Sequence, residues 1–206
     1  MSNDIGGSMN EGFVPWVDRF AAGNGFSPVR EAVLVAIGVA AIAIGAQVSV
    51  PMTPVPMTLQ TLSVVLIGAL YGARRGVATT AAYLIAGVLG LPVFAKWSAA
   101  PGLEFLSLKS GGYILGFIVA AGLVGQLVRK TGYGRPLALT AAMLGGHAVV
   151  LAAGVVWLGS FIGASAAVQH GLVPFVPGMI VKSAAAAAIV VLCYRMAPFQ
   201  NRTARA

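Results

Sequence analysis

The chain has 206 residues, of which 58% are hydrophobic and only 9% charged, and its mean hydropathy is +0.90. Soluble domains carry roughly 25% charged residues, so this composition excludes an ordinary soluble fold and marks an integral membrane protein. A formal charge of +8 and a pI near 10.3 do not point to nucleic acid, because the basic residues fall in short clusters between apolar runs.

Residues 1–30 form a first segment, expected as a cytoplasmic tail. It contains Asp4, Glu11 and Asp18, lacks the basic start and apolar core of a signal peptide, and offers a short surface helix over Phe13 to Phe20. Residues 31–196 hold six apolar stretches predicted as transmembrane helices: Glu31 to Val50, Leu59 to Tyr71, Val77 to Phe94, Tyr113 to Val128, Leu137 to Phe161 and Met179 to Met196. A span needs about 20 apolar residues, so the second is short; broken helices of this kind line cavities. It is preceded by Val50-Pro51-Met52-Thr53-Pro54-Val55-Pro56-Met57-Thr58, whose three prolines enforce an extended backbone and whose lack of charge lets it dip toward the membrane. Residues 197–206 make a basic tail.

Orientation follows from lysine and arginine. With the N-terminus inside, the inner segments hold Arg19, Arg30, Arg74, Arg75, Arg129, Lys130, Arg135, Arg195, Arg202 and Arg205, and the outer loops only Lys96 and Lys109. Both termini are therefore expected in the cytoplasm and the proline-rich loop on the extracellular side. The outer connections Ala95 to Gly112 and Ile162 to Gly178 are long, and Trp97, Phe105, Leu106, Leu108 and Phe175 make them apolar. They read as lids over a cavity or as interfacial aromatics. Gly112 and Gly116, and the ladder Ala32, Ala36 and Ala40, give surfaces on which helices can approach closely; internal packing is the ordinary role, and the alanine ladder also suits a partner helix.

Catalysis finds no support. Of five acidic residues only Glu104 lies beyond residue 31, so there are no paired carboxylates and no magnesium cluster; no GxxxxGK[ST] motif occurs, so the chain has no ATP site of its own. His147 and His170 lack nearby cysteines or carboxylates and make no metal site; His147 is expected as a neutral core histidine bonded to a helix carbonyl. Cys193 cannot form an intramolecular disulfide.

Lys182 is the exception to this inert pattern. It lies in the sixth span, where a lysine at the bilayer centre costs roughly 2.5 to 3.5 kcal/mol, so it marks either a ligand site or a side chain that snorkels to the interface. The topology places it in the outer third of the membrane, facing arriving solute. Met179, Ala185, Ala186 and Ile189 share its helix face, and no acidic residue is close in sequence. Gln47, Ser49, Thr58, Gln60 and Thr61 surround the proline loop, with Tyr83, Ser110 and Tyr113 on neighbouring spans: a handful of hydrogen-bonding groups in an apolar setting, the make-up of a site for a small amphipathic ligand.

Several segments resemble the biotin transporter substrate-binding subunits of the BioY type. They are Val55-Pro56-Met57-Thr58-Leu59-Gln60-Thr61, Gly72-Ala73-Arg74-Arg75-Gly76, Leu89-Gly90-Leu91-Pro92-Val93-Phe94-Ala95, Gly111-Gly112-Tyr113-Ile114-Leu115-Gly116-Phe117, and Pro174-Phe175-Val176-Pro177-Gly178 followed by Lys182, with Gly154, Trp157 and Leu158 between. The resemblance implies an all-α membrane protein of six helices. It would serve as the S component of an energy-coupling-factor importer, holding biotin in an outward-facing pocket and working in the inner membrane with a transmembrane coupling protein and cytoplasmic ATPases. It places ligand contacts at Tyr83, Phe94, Tyr113 and Lys182; Gln60, Trp97 and Met179 complete the expected ligand-binding set. Met179 departs from the family, which commonly has an aspartate after the Pro-Gly. Biotin uptake without enzymatic activity is the first expectation; an S component for another small carboxylate or vitamin, and a non-transporting structural subunit, are the alternatives.

Overall fold

The computed structural model describes residues 15–20 and 27–196. The described residues are mostly helical: α1 (Pro28–Gln47), α2 (Gln60–Tyr71), α3 (Ala73–Val88), α4 (Gly111–Thr131), α5 (Pro136–Ile162), α6 (Ala164–Gly171) and α7 (Val176–Met196). Between α1 and α2 two short strands, β1 (Ser49–Val50) and β2 (Met57–Thr58), pair antiparallel with Ser49 opposite Thr58. Among the described residues, four stretches are long and apolar enough to cross a membrane: α1, α4, α5 and the run Ala164–Met196 that contains α6 and α7.

The helix boundaries follow local chemistry. Ser27 caps α1, its Oγ accepting the Arg30 N–H, and Pro28 occupies the first turn where its missing N–H costs nothing. The expected first span ran to Val50, but α1 stops at Gln47 because the chain turns into the hairpin, whose extended strands the prolines favour. α3 is displaced from its expected Val77 to Phe94: it starts at Ala73, directly after Gly72 at φ +80°, and ends at Val88 before Gly90 at φ +93° and Pro92. Arg74 and Arg75, outside any apolar window, are nevertheless helical. α6 is an addition to the sequence reading, which left Ile162 to Gly178 as a loop. Of the surface helix expected over Phe13 to Phe20, Trp16–Phe20 forms one 3-10 turn; residues 13 and 14 and the basic tail at 197–206 lie outside the described residues.

α4 sits at the centre, packed on α2, α3 and α5. Gly112 and Gly116 face Trp157, Ala153 and Val150 of α5 at distances that admit no Cβ without displacement, so this pair serves internal packing. Ala32, Ala36 and Ala40 are exposed on α1. A helix rises about 1.5 Å per residue. The 12 residues of α2 therefore cover about 18 Å, well short of a bilayer core, and the proline hairpin occupies the space beyond its first turn.

Candidate functional site

Where α2 stops short, a cavity of about 440 Å³ opens between the proline hairpin, the first turns of α2, α4 and α7, and the segment that follows α3. Its apolar wall comes from Phe94, Ile114, Phe117, Val150, Phe175 and Met179, and Pro51 to Pro56 cover it. Two rings are set by glycine: Phe94 lies over Gly87 and Tyr113 over Gly154, each so close that a Cβ on the glycine would overlap the ring. Tyr113 is fixed further by donating its hydroxyl to the Gly171 carbonyl of α6 (2.8 Å) and stacking on Phe175.

Lys182 faces this cavity from α7. Its Nζ donates to the Thr61 hydroxyl (2.6 Å) and to the Thr58 carbonyl (3.2 Å), across to the start of α2. The side chain thus points along the wall instead of rising to the interface. An ammonium has three donors, and two are directed to protein. Gln60, also in the wall, accepts from the Thr58 hydroxyl (2.9 Å) and donates to the Tyr83 hydroxyl (2.5 Å), which in turn donates to the Val93 carbonyl (2.9 Å). The chain Thr58–Gln60–Tyr83–Val93 locks the hairpin to α2, α3 and the wall segment.

Of the seven residues expected in the site, Lys182, Gln60, Phe94, Tyr113 and Met179 face one cavity. Tyr83 does not: it is fully buried behind Phe94 and Gln60, packed edge-on against Phe94 at 5.6 Å between ring centroids, and acts as a prop. Trp97 does not either; the residue is 62% exposed and engages the fold through its backbone N–H. The cavity also holds residues that sequence reasoning assigned elsewhere. Lys96 and Lys109 were topology markers and line it. So does Phe117, one turn beyond Tyr113 on α4, a spacing that could have found it.

His147 lines the cavity as well. Its Nδ1 lies 3.0 Å from the Met143 carbonyl, as a core histidine's would, and 3.0 Å from the Ser183 hydroxyl. A carbonyl only accepts, so Nδ1 carries the proton. Nε2 is then a buried acceptor with no partner among the described residues.

The electrostatics are one-sided. Lys96, Lys109 and Lys182 contribute to the wall, and among the described residues no aspartate or glutamate does. Such a cavity suits a small molecule with an apolar body, hydrogen-bonding edges and a negative charge.

A bundle of apolar helices around a cation-lined cavity defines a helical membrane protein built to enclose a small solute. The model of the BioY family matches residues 17–199, and the chain belongs to that family. It is 39% identical over 160 residues to a protein of Pyrococcus horikoshii named "Probable biotin transporter BioY", covering 78% of this chain and 93% of that one. The biotin transporter BioY of Thermotoga maritima is 36% identical over 163 residues, covering 78% and 94%. A crystal structure of the S-component for biotin from an ECF-type ABC transporter superposes with a TM-score of 0.74 at 26% identity, covering 85% of this chain and 97% of that one.

Proposed function

We propose that this protein binds biotin and mediates its uptake across the membrane as the substrate-specific S component of an energy-coupling-factor transporter. Relatives named as biotin transporters align with most of the chain, and the site adds its own physical reason. Biotin presents a carboxylate, an aliphatic chain, and a fused ring whose ureido edge both donates and accepts. A cavity of about 440 Å³ with three lysines, an aromatic wall and the Gln60 and Thr58 polar edge complements those groups. The three lysines of the wall, with no acidic residue beside them among the described residues, are the observation that carries the reading.

In this reading Lys182, Gln60, Phe94, Tyr113 and Met179 contact the ligand, while Tyr83 and Trp97 act from outside the cavity. Six segments cross the membrane, α2 and α3 being the short pair, with both termini in the cytoplasm and the hairpin on the outer face. The hairpin and the Ala95 to Gly112 segment close over bound solute. Release inside requires a coupling protein and ATPases, because the chain has no nucleotide motif; the exposed Ala32, Ala36, Ala40 face of α1 offers the close approach that docking needs.

Purified protein is expected to carry biotin through chromatography, identified by mass spectrometry, and Lys182→Ala to abolish labelled-biotin uptake while still inserting. Uptake unchanged in that variant would remove Lys182 from the site. Met179 favours a second reading, another carboxylate or vitamin as substrate, since it cannot accept the ureido N–H bonds that an aspartate would. A panel of vitamins tested on purified protein separates the two: retention of a compound other than biotin overturns the first.

A further inference from the structure

The wall segment after α3 is held in an unusual backbone form. Lys96 (φ 59°, ψ 32°) and Trp97 (φ 54°) are consecutive non-glycine residues in the left-handed region. One such residue is uncommon; two in succession, one of them bulky, persist only where surrounding contacts hold them. Phe94, Ala95, Lys96 and Ser98 of the same segment all line the cavity. The segment closes on itself through Phe94 N–H to the Ser98 carbonyl (2.9 Å) and the Ser98 hydroxyl to the Ala95 carbonyl (2.8 Å). The Ser98 N–H also donates to the Ala95 carbonyl (3.3 Å) and spans the left-handed pair in the manner of a type I′ turn, but with neither glycine nor asparagine at its centre that turn carries a steric cost.

A second constraint comes from fifty residues earlier. Gln47, the last residue of α1, accepts the Trp97 N–H at Oε1 (2.9 Å) and donates from Nε2 to the Phe94 carbonyl (3.1 Å) and to its own helix at Ala43 (2.9 Å). A residue that only finished α1 would need the Ala43 bond alone. Instead one amide spans the turn, gripping it at both sides, and Gln47 itself is not part of the cavity wall.

We propose that Gln47 is a latch: a positioning residue that ties the end of α1 to residues 94–97 and keeps that wall in its left-handed, closed form over the ligand. Releasing the amide lets the turn relax and the mouth of the cavity open. The inference rests on the biotin-binding reading for its ligand, though not for its mechanics.

The test uses the full chain in lipid nanodiscs, loaded with radiolabelled biotin and chased with unlabelled biotin. Losing the two bonds that cross to the turn in Gln47→Leu is expected to speed biotin dissociation by about tenfold or more. Adding Trp97→Gly to that variant is expected to slow dissociation back toward wild type, because glycine adopts positive φ without steric penalty and holds the turn without the latch. A Gln47→Leu rate equal to wild type, or a faster rate that glycine does not correct, overturns the latch and leaves Gln47 as a helix-end residue. If Gln47→Leu does not fold, Gln47→Glu keeps an acceptor for Trp97 but loses the donor to Phe94, and the same glycine correction is expected. If wild type retains no biotin, the functional reading fails by itself. The latch is then judged by tryptic cleavage after the exposed Lys96, which must be faster in Gln47→Leu than in wild type if the turn is held by Gln47.

Discussion

Lys182 shows how a charge is accommodated inside an apolar helix without a carboxylate. The Thr61 hydroxyl and the Thr58 carbonyl orient its ammonium along the cavity wall, so its remaining donor and its full charge are presented to whatever enters. Thr61→Val keeps the shape and removes an acceptor from a charged donor. Hydrogen bonds to charged groups contribute about 1.5–3 kcal/mol, and water in an open cavity places this one at the lower end, so biotin is expected to bind about tenfold more weakly, measured by titration calorimetry. Unchanged affinity would mean that the amine needs no aiming. Lys182 was legible in the sequence because one charge in a long apolar run has few readings. Tyr83 stands outside the cavity lining: helical phase tells which face of α3 it occupies, not that Phe94 returns over that face and puts it one layer back. His147 was read as a core histidine bonded to a helix carbonyl, and that bond is present, but its place in the cavity wall depends on how deeply the hairpin leaves α5 uncovered.

The elements were legible where composition changes sharply and illegible where the backbone turns on glycine. The short second span and the proline-rich connection before it followed from length and proline count, and the cavity beside them is the structural consequence. α6 was missed because Ala164–Gly171 is too short and too mixed to stand out from a loop, although Gly163 at φ +83° breaks it cleanly from α5. α6 nonetheless matters to the site, since the Gly171 carbonyl anchors Tyr113. The fit of α4 against α5 gives a prediction on this scale. The Tyr113 ring occupies the space in which a Gly154 Cβ would stand, so Gly154→Ala must displace either the ring or the helix. Overpacking of this kind costs about 1–3 kcal/mol. The variant is expected to melt at a lower temperature and to bind biotin more weakly, with a larger loss than at Gly145, where an added Cβ meets only the ends of two leucines. Equal losses at the two positions would show that Tyr113 is free to move.

Across the whole molecule, α1 and α3 are fastened at both ends. By their lengths of 20 and 16 residues they run about 30 Å and 24 Å. At the cavity end Gln47 of α1 grips the segment that follows α3. At the other end Asp18, in the 3-10 turn before α1, takes Arg30 of α1 at 2.7 Å and Arg75 of α3 at 2.6 Å, while Arg75 also grips Glu31 through two nitrogens. The sequence showed Arg30 and Arg75 only as topology markers, since pairing across elements has no signature in spacing. Burial pushes the Asp18 pKa up, but hydrogen bonds from Arg75 and Arg30 outweigh it and hold the carboxyl below the usual aspartate value. A carboxyl depressed in the folded state contributes stability that is complete above its unfolded pKa, about 3.9, and is lost as pH falls through the lower folded value. Asp18→Asn is therefore expected to melt below wild type at neutral pH, with the difference shrinking once the pH drops under about 3.9. Melting curves of the two proteins from pH 7 to pH 3 check this, with Glu31, which shares Arg75 with Asp18, titrating in both. A gap that stays constant through that range would mean that Asp18 holds the two helices by shape and not by charge.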